Sequence, residues 1–386
     1  MTAPADSPLD VICFSLEPWD EIWRRNQWFA TEMLQADPQL RILFAELPID
    51  VLWRASHGKL PTGGRLRPVG TTGRLWATAP LKLLPRRVWP GVDGSLASQV
   101  LRAARRLGMR RPVLWINDST YAEVAVSSGW PSVYDITDDW LLASRDGRQL
   151  DRERRQDALL LAHATEVVVC SPTLAESRGR QRTVRLISNG VDIEHIRRPQ
   201  PRPADLPDGR IALYQGSVVR GRLDLDLCIE LAGALGTTAA LVLVGPSSLS
   251  ETDAARLREA GVVLLGARPY TAVPGYLQHA DVLVVPHAVN AFTESLDPIK
   301  AREFVAVGRP TVSTPVAGFR ALAAPVRVAD RDRFVENVLD VLDAPPVAPG
   351  PGPLRDPPTT WKTAAAEFLS VLRQAAGQPA RAERPS

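Results

Sequence analysis

Stretches with the composition of β-strands alternate with amphipathic helical stretches along the first half of this chain. Strands are predicted at residues 10–15, 41–46, 113–117, 132–135, 166–170 and 184–188, and helices at 21–36, 95–107 and 152–164. This alternation predicts a mostly parallel sheet covered by helices on both faces, which is an α/β, Rossmann-like fold. Ligands bind at the carboxyl ends of the strands in such sheets, so a site is expected in the loops that follow them.

Two proline-rich stretches divide the chain. The length of 386 residues exceeds one ordinary hydrophobic core and favours two domains. The first proline-rich stretch follows the turn signal Asn189–Gly190 and has the composition of a linker. We therefore predict an N-terminal domain at 1–198, a linker at 199–208 and a C-terminal domain at 209–345. The second is predicted to be an extended spacer at 346–359, which leads to a terminal helix and tail at 360–386.

A short helix predicted in the C-terminal domain carries a charged pair. Lys300 and Glu303 are three residues apart, so both side chains lie on one face near the start of the helix. Asp297 and Pro298 provide the start signals, and the other positions are mostly apolar, which predicts burial. A helix N-terminus with a lysine can bind phosphate, and a carboxylate one turn further can bind a ribose diol. A solvated ion pair is the alternative on spacing alone.

The first strand of the C-terminal domain is followed by a glycine and two arginines. Gly216 would let a phosphate approach the backbone closely. Arg220 and Arg222 can supply charge-assisted hydrogen bonds to a diphosphate. This short pattern is weak evidence for a phosphate site by itself, and the presence of Lys300 in the same predicted domain strengthens it.

Carboxylates follow two strands of the N-terminal domain. Asp118 comes after the strand at 113–117, and Asp138 and Asp139 follow the strand at 132–135. Carboxylates this close together do not all stay ionised in a dry site unless donors pair with them, which makes them catalytic candidates. Capping of a loop or helix is the alternative for each.

A second polar group follows the first strand. This group lies next to several tryptophans and consists of Arg24, Arg25, Asn26 and Gln27. They combine fixed hydrogen-bond donors with stacking faces, so they are candidates for contact with an acceptor; packing in a helix core is the alternative for the tryptophans.

Taken together, these motifs resemble the GT-B glycosyltransferases, in particular GT4-like bacterial enzymes of cell-surface polysaccharide or teichuronic acid synthesis. The segment from 290 to 314 resembles their donor-binding segment, with N-x-x-T, D-P-x-K-x-x-E-F and A-x-G-x-P-x-V-S-T in order. The tryptophan-rich stretch at 16–28, YDITDDW at 134–140 and SNGVD at 188–192 resemble further elements. The resemblance covers nearly the whole chain. One departure is Ser295, which occupies the position of the first glutamate of the family's glutamate pair, while Glu294 is one place off.

The resemblance implies two Rossmann-like domains that face each other across a cleft, with a C-terminal helix crossing back to the N-terminal domain. It implies transfer of a sugar from a nucleotide-diphosphate sugar to a glycan, lipid-linked or small-molecule acceptor, with retention and without a bound metal or other cofactor. The implied donor-site residues are Lys300 for the diphosphate, Glu303 for the ribose, Gly266, Ala267 and Arg268 for the base, and Asn290, Thr293, Asp297 and Pro298 around the donor sugar.

Composition excludes several classes of protein. The net charge of +3 is too small to argue for nucleic acid as a partner. The three cysteines show neither zinc-site spacing nor a disulfide pattern, which favours a reducing cytoplasm. The N-terminus lacks signal-peptide features, and no run approaches the ~20 apolar residues of a membrane span. We therefore expect a cytoplasmic protein.

Two further questions stay open at this stage. Residues 60–92 and 95–111 mix arginines with Trp76, Trp89 and leucines, which fits peripheral contact with an anionic membrane at its inner face. A solvated basic helix face is the alternative. For the activity, a sugar-nucleotide epimerase on the same fold and an inactive scaffold homologue are the alternatives to a transferase.

Overall fold

A computed structural model describes residues 8–59, 64–142, 147–354 and 356–377 of the chain. Parts of the predicted basic segment (60–63) and of the predicted tail (378–386) lie outside the described residues. None of the helices in the described ranges combines the length and apolar composition needed to cross a bilayer.

The N-terminal half contains an eight-stranded sheet and a separate two-stranded sheet. Its strands are β1 (Asp10–Phe14), β2 (Arg41–Ala45), β3 (Ile49–Asp50), β4 (Arg67–Pro68), β5 (Leu75–Thr78), β6 (Leu81–Lys82), β7 (Val113–Ile116), β8 (Ser132–Ile136), β9 (Glu166–Val169) and β10 (Arg185–Leu186). The large sheet has the order β10-β9-β8-β7-β1-β2-β5-β4, and its neighbours are parallel except for β4 and β5. The small sheet pairs β3 with β6.

Helices cover both faces of the large sheet, as the alternating pattern predicted. They are α1 (Arg25–Ala36), α2 (Val51–Ser56), α3 (Val92–Arg106), α4 (Ala122–Ser127), α5 (Gly147–His163) and α6 (Pro172–Gly179). One apolar core lies under α3, α4 and α5, and the other lies under α1. The strands between them are buried on both faces; all four residues of β7 are buried.

Helix α1 begins four residues later than the predicted start of the helix at 21. Arg24 has an extended backbone and is the N-cap, and its N–H donates to the Gln27 side chain at 3.3 Å. The Asp20 carboxylate accepts a hydrogen bond from the N–H of Ile22 at 2.9 Å. These local bonds hold the preceding residues in a loop, which directs Trp19 and Trp23 away from a helical register.

The C-terminal half is a six-stranded, fully parallel sheet with helices on both faces. Its strands are β11 (Arg210–Gln215), β12 (Ala239–Val244), β13 (Val263–Gly266), β14 (Val282–Val285), β15 (Thr311–Ser313) and β16 (Val326–Val328). Its helices, with the preceding α7 (Ile193–Arg197), are α8 (Leu225–Leu235), α9 (Glu251–Glu259), α10 (Val273–Gln278), α11 (Ala291–Glu294), α12 (Ile299–Val307) and α13 (Arg331–Asp343). The strand order β13-β12-β11-β14-β15-β16 reverses between β11 and β14, which is the Rossmann arrangement.

The chain passes between the two halves twice. Helix α7 packs against α10 and α12, so it lies with the C-terminal domain, ahead of the boundary placed at 198 from the sequence. The last helix, α14 (Trp361–Ala375), returns to the N-terminal domain and packs against α1. The returning helix implied by the sequence is therefore present.

Candidate functional site

The two sheets present their switch points to each other. In the N-terminal sheet the strand order reverses between β1 and β7, and in the C-terminal sheet it reverses between β11 and β14. Adjacent loops diverge at such points and leave a crevice at the carboxyl ends of the strands. The loops after all four strands line one cleft between the domains, which encloses about 390 Å³. The topology therefore places the candidate site in this cleft.

Lys300 lies in the C-terminal wall of the cleft, at the start of α12. It is only 7% exposed, and its Nζ donates to the Tyr214 hydroxyl at 2.7 Å while lying 4.0 Å from the centre of the same ring. The Nε2 of His287 is 3.4 Å away. Burial, followed by the positive charge of Arg222, lowers the Lys300 pKa well below its usual value. The surroundings of Lys300 therefore disfavour its charged form, and a bound anion would favour it.

Gly216 lies directly against Lys300. A Cβ at this position would collide with Nζ and Cε of the lysine, and the backbone φ of 138° also favours glycine. Gly216 and Arg222 both line the cleft. The glycine therefore brings the β11 backbone close to the lysine. A phosphate site at this point stays a prediction.

Glu303 follows Lys300 by one helical turn and lines the same wall. Its side chain is buried, and burial raises its pKa to about 7 although the charge of Lys300 acts in the opposite direction. Of the described residues, none donates a hydrogen bond to this carboxylate. It is free to accept hydrogen bonds from a ligand.

The start of α12 is tied to the N-terminal domain. The helix begins at Ile299 with Pro298 as N-cap, so Asp297 does not cap it as predicted. Its carboxylate accepts instead from the Asn189 N–H and from Arg302, both at 2.7 Å. The Asn189 amide oxygen accepts from Arg25 on α1 at 3.2 Å. Hydrogen bonds therefore link α1 to the start of α12, and Asp297 and Pro298 both line the cleft.

The opposite wall of the cleft contains polar groups of the N-terminal domain. Arg24, Arg25 and Asn26 line the cleft, as does Asp138, whose pKa is raised by burial. Arg25 also forms a buried ion pair with Asp135 at 3.1 Å, which fixes its position. The Oδ1 atom of Asn26 is buried and has no hydrogen-bond partner among the described residues. These groups line the same cleft as Lys300 and Glu303. A role in holding an acceptor stays a prediction.

Several predicted residues do not line the cleft because local partners hold them elsewhere. Arg220 is exposed and forms an ion pair with Asp253. Asp139 forms a buried pair with Arg178 at 3.0 Å. The Asp118 carboxylate accepts from the Thr120 N–H, caps a 3₁₀ turn at Ser119–Tyr121 and lines a smaller neighbouring pocket.

The remaining predicted residues have local structural contacts. Gln27 is fully buried and its side-chain amide donates to the Asp20 carbonyl at 2.8 Å. Asn290 and Thr293 form a capping box at α11. Of the three residues expected at the base, Arg268 lines the cleft, whereas Gly266 and Ala267 do not. Glu294, one place from the expected donor-sugar position, pairs with Arg320 at 2.7 Å.

Two residues of the cleft, Glu17 and His287, and the buried Tyr214 behind Lys300 were not found from the sequence. Tyr214 and His287 hold Lys300, and Glu17 follows β1 with a buried Oε2 atom that no described residue bonds. Burial raises the Glu17 pKa to about 7. Glu17 and His287 could have been found from their positions just after β1 and β14. Each of these strands lies at a switch point, where the strand ends face the ligand.

A search for similar proteins gives matches to glycosyltransferases. Residues 209–344 match the sequence model of a family described as "Glycosyl transferases group 1". TuaH of Bacillus subtilis (strain 168), whose name proposes a glycosyltransferase role in teichuronic acid biosynthesis, is 22% identical over 233 residues. That match covers 56% of this chain and 58% of the relative, so the chain spans under two thirds of the relative's length.

Two solved structures match over nearly the whole chain. The UDP-forming α,α-trehalose-phosphate synthase of Burkholderia vietnamiensis aligns with a TM-score of 0.60 at 13% identity, covering 96% of this chain and 99% of that one. Anabaena HepE in complex with UDP and glucose aligns with a TM-score of 0.60 at 13% identity, covering 95% of each chain. The chain has the GT-B fold. The resemblance to GT-B glycosyltransferases that was expected from the sequence is confirmed.

Within the described ranges, no group of three or more His, Cys, Asp or Glu side chains is arranged to hold a metal ion. Independence from a metal stays a prediction.

Proposed function

We propose that this protein is a glycosyltransferase that moves a sugar from a nucleotide-diphosphate sugar to an acceptor hydroxyl. One observation carries the proposal: Lys300, Gly216 and Glu303 meet on one wall of the interdomain cleft, opposite the polar groups of the N-terminal domain. The family model covers the residues that form this wall. The similarity to HepE, whose complex contains UDP and glucose, supports a uridine nucleotide as the donor carrier.

The residues of the donor wall suit a diphosphate leaving group. The buried Lys300 and the partly buried Arg222 can supply positive charge to a leaving anion, and such stabilisation strengthens where water is excluded. Gly216 leaves room for the anion near the backbone, and Glu303 can accept hydrogen bonds from the ribose diol. Stabilisation of the departing diphosphate is the step that these residues would accelerate.

The facing wall would hold the acceptor. Asn26, Glu17 and Asp138 offer hydrogen-bond acceptors and donors to a hydroxyl, and closure of the two domains would position that hydroxyl over the sugar. A glycan, a lipid-linked sugar or a small molecule would satisfy this chemistry. Retention of configuration, metal independence and a cytoplasmic location stay predictions.

A sugar-nucleotide epimerase is the second candidate. Glu17 and Asp138 both line the cleft, and burial raises the pKa of each carboxyl, which suits acid–base chemistry on a bound sugar. An epimerase would convert the donor sugar without an acceptor. A transferase releases nucleoside diphosphate in proportion to the glycosylated product, so product analysis separates the two.

The proposal is tested by calorimetric titration with UDP, GDP, ADP and TDP. We expect UDP to bind, and Lys300→Ala and Glu303→Ala each to weaken its binding roughly tenfold to a hundredfold, as the loss of a charged hydrogen bond does. Arg220→Ala is the matched control, because this arginine is turned toward Asp253 and should leave UDP affinity unchanged. If none of the four nucleotides binds, or if Arg220→Ala weakens binding as much as Lys300→Ala, the donor site is elsewhere.

A further inference from the structure

Exposed apolar side chains are concentrated in one part of the N-terminal domain. Of the thirteen large hydrophobic residues that are exposed in the described ranges, seven lie between residues 47 and 89. Val88 is 68% exposed, Leu83 55% and Trp53 52%. Helix α2 has no buried residue at all. A concentration of this kind marks an interaction surface, because isolated domains rarely leave such a patch in water.

The small sheet brings these residues together. Strands β3 and β6 are paired, with Asp50 opposite Lys82 and a salt bridge of 2.7 Å between them. Helix α2 starts directly after β3, and the turn at 83–89 starts directly after β6. We name this surface the α2 surface; it consists of Leu47, Leu52, Trp53, Leu83, Leu84, Val88 and Trp89.

Exposed positive charge lies beside the α2 surface. Residues 47–91 contain eight Lys or Arg residues and one Asp, while the whole chain has 46 Lys or Arg against 43 Asp or Glu. The remainder of the chain is therefore slightly acidic. Three of the eight basic residues are paired with carboxylates: Arg67 with Glu46, Lys82 with Asp50 and Arg86 with Asp93. Lys59, Arg65 and Arg87 are exposed, and the Lys59 ammonium lies 5.6 Å from the Trp53 ring. Exposed tryptophans and leucines within a basic field match the interface of an anionic bilayer.

The α2 surface lies at the same edge of the sheet as the cleft. Strands β1, β2 and β5 are parallel, so their carboxyl ends share one edge, and the α2 surface follows β2 and β5. Glu46, just before Leu47, accepts from the N–H of Trp19 in the loop after β1 at 2.9 Å. Trp19 packs near Trp23, which lines the cleft. The surface therefore borders the acceptor side.

We propose that the α2 surface docks the protein on a bilayer with anionic headgroups, with the acceptor side of the cleft next to the lipid. Trp53, Trp89 and the leucines enter the interface, and Lys59, Arg65 and Arg87 contact the phosphates. In its second part, which rests on the proposed glycosyl transfer, a lipid-borne acceptor enters the cleft directly from the bilayer. Helix α3, whose last turn is also basic, ends at the amino edge before β7 and does not take part.

Co-sedimentation with vesicles tests the docking. We expect wild-type protein to bind vesicles of phosphatidylcholine with phosphatidylglycerol, and to bind phosphatidylcholine alone much less. The double variant Trp53→Ser/Leu83→Ser should reduce binding roughly tenfold, and Arg87→Glu several-fold. The matched controls are Leu186→Ser, an exposed leucine at the opposite edge strand, and Arg110→Glu, an exposed arginine at the amino edge. Both should bind as wild type.

Three results would overturn the docking. The first is equal binding to neutral and anionic vesicles, and the second is an equal loss of binding in the control and test variants. The third is a double variant that still binds vesicles but whose sedimentation velocity in free solution differs from that of the wild type. The last would show that the surface contacts a second copy of the chain. Titration with UDP in the same preparations separates this proposal from the function: UDP binding with no vesicle binding refutes the docking alone, and vesicle binding with no UDP binding refutes the donor site alone.

Discussion

Lys300 is held in an unusual state for a lysine that binds an anion. It is enclosed by Tyr214, His287 and Gly216, and burial with the nearby charge of Arg222 lowers its pKa well below the usual value. A diphosphate brings negative charge next to it and favours the protonated form. Lys300 therefore shifts toward the protonated form when a nucleotide binds.

We accordingly predict that UDP binding takes up protons. By linkage, affinity then falls as pH rises above the lowered pKa of the unliganded Lys300, by up to about tenfold per pH unit for each proton taken up. Titration calorimetry in two buffers of different ionisation enthalpy counts the protons. Lys300→Arg should bind UDP with less uptake, because arginine stays protonated throughout. Lys362→Arg, at an exposed position, is the control; uptake that is unchanged in Lys300→Arg would contradict the assignment.

The sequence was sufficient for those residues whose role follows from a local pattern. The spacing of Lys300 and Glu303 and the glycine after β11 predicted three side-by-side residues of the cleft wall. The sequence was insufficient to distinguish Arg220 from Arg222, because both are arginines in the same loop after β11. Only the three-dimensional position of Asp253, more than thirty residues away, directs one outward and leaves the other in the cleft.

At the scale of elements, α14 completes the N-terminal domain from the far end of the chain. Trp361 is 2% exposed, and its ring lies parallel to that of Trp28 with centroids 5.7 Å apart. Phe368, further along the same helix, packs on Trp115 and Phe29, with ring centroids 4.9 Å and 5.1 Å apart respectively. The core beneath α1 is therefore incomplete without α14, although more than 300 residues separate the two helices in the sequence.

Trp361→Ala should therefore lower the free energy of unfolding by about 3–5 kcal/mol, as the removal of a buried tryptophan does. Chemical denaturation followed by circular dichroism measures this. Trp89→Ala, at an exposed position, should change stability by less than about 0.5 kcal/mol. Equal effects of the two substitutions would mean that α14 packs only loosely on α1.

The elements themselves were predicted better than their ends. Hydrophobic runs placed six of the eight strands of the large N-terminal sheet within a residue or two, because burial on both faces requires continuous apolar sequence. The strands β4 and β5, at one edge of that sheet, were not predicted. The predicted start of α1 was wrong because local hydrogen bonds to the Asp20 and Gln27 side chains hold the preceding residues in a loop. The predicted cap of α12 was wrong because the Asp297 carboxylate accepts instead from the Asn189 backbone N–H and from Arg302.

At the scale of the molecule, two crossovers connect the domains and run side by side. The first passes from β10 to α7 through Gly190 and Val191, and the second passes from residue 358 to α14. Val191 donates to the Thr359 carbonyl at 3.0 Å, and it forms a parallel bridge with Thr360. A Cβ on Gly190 would overlap the backbone of Thr360 and Trp361. The two crossovers thus approach more closely than any side chain at this position permits.

Gly190→Ala should for this reason separate the crossovers and change how the two walls of the cleft meet. The obstacle is backbone, which cannot rotate away as a side chain can, so we expect a lower melting temperature and roughly tenfold weaker UDP binding, although residue 190 contacts neither Lys300 nor Glu303 directly. Gly179→Ala is the matched control, since a Cβ there meets no atom within 4 Å. Small-angle scattering with and without UDP would show whether the closed arrangement still forms. If Gly190→Ala keeps the wild-type melting temperature, affinity and scattering, the close approach of the crossovers does not determine the geometry of the cleft, and the domains are aligned by their direct contacts, such as Asn189 with Asp297, instead.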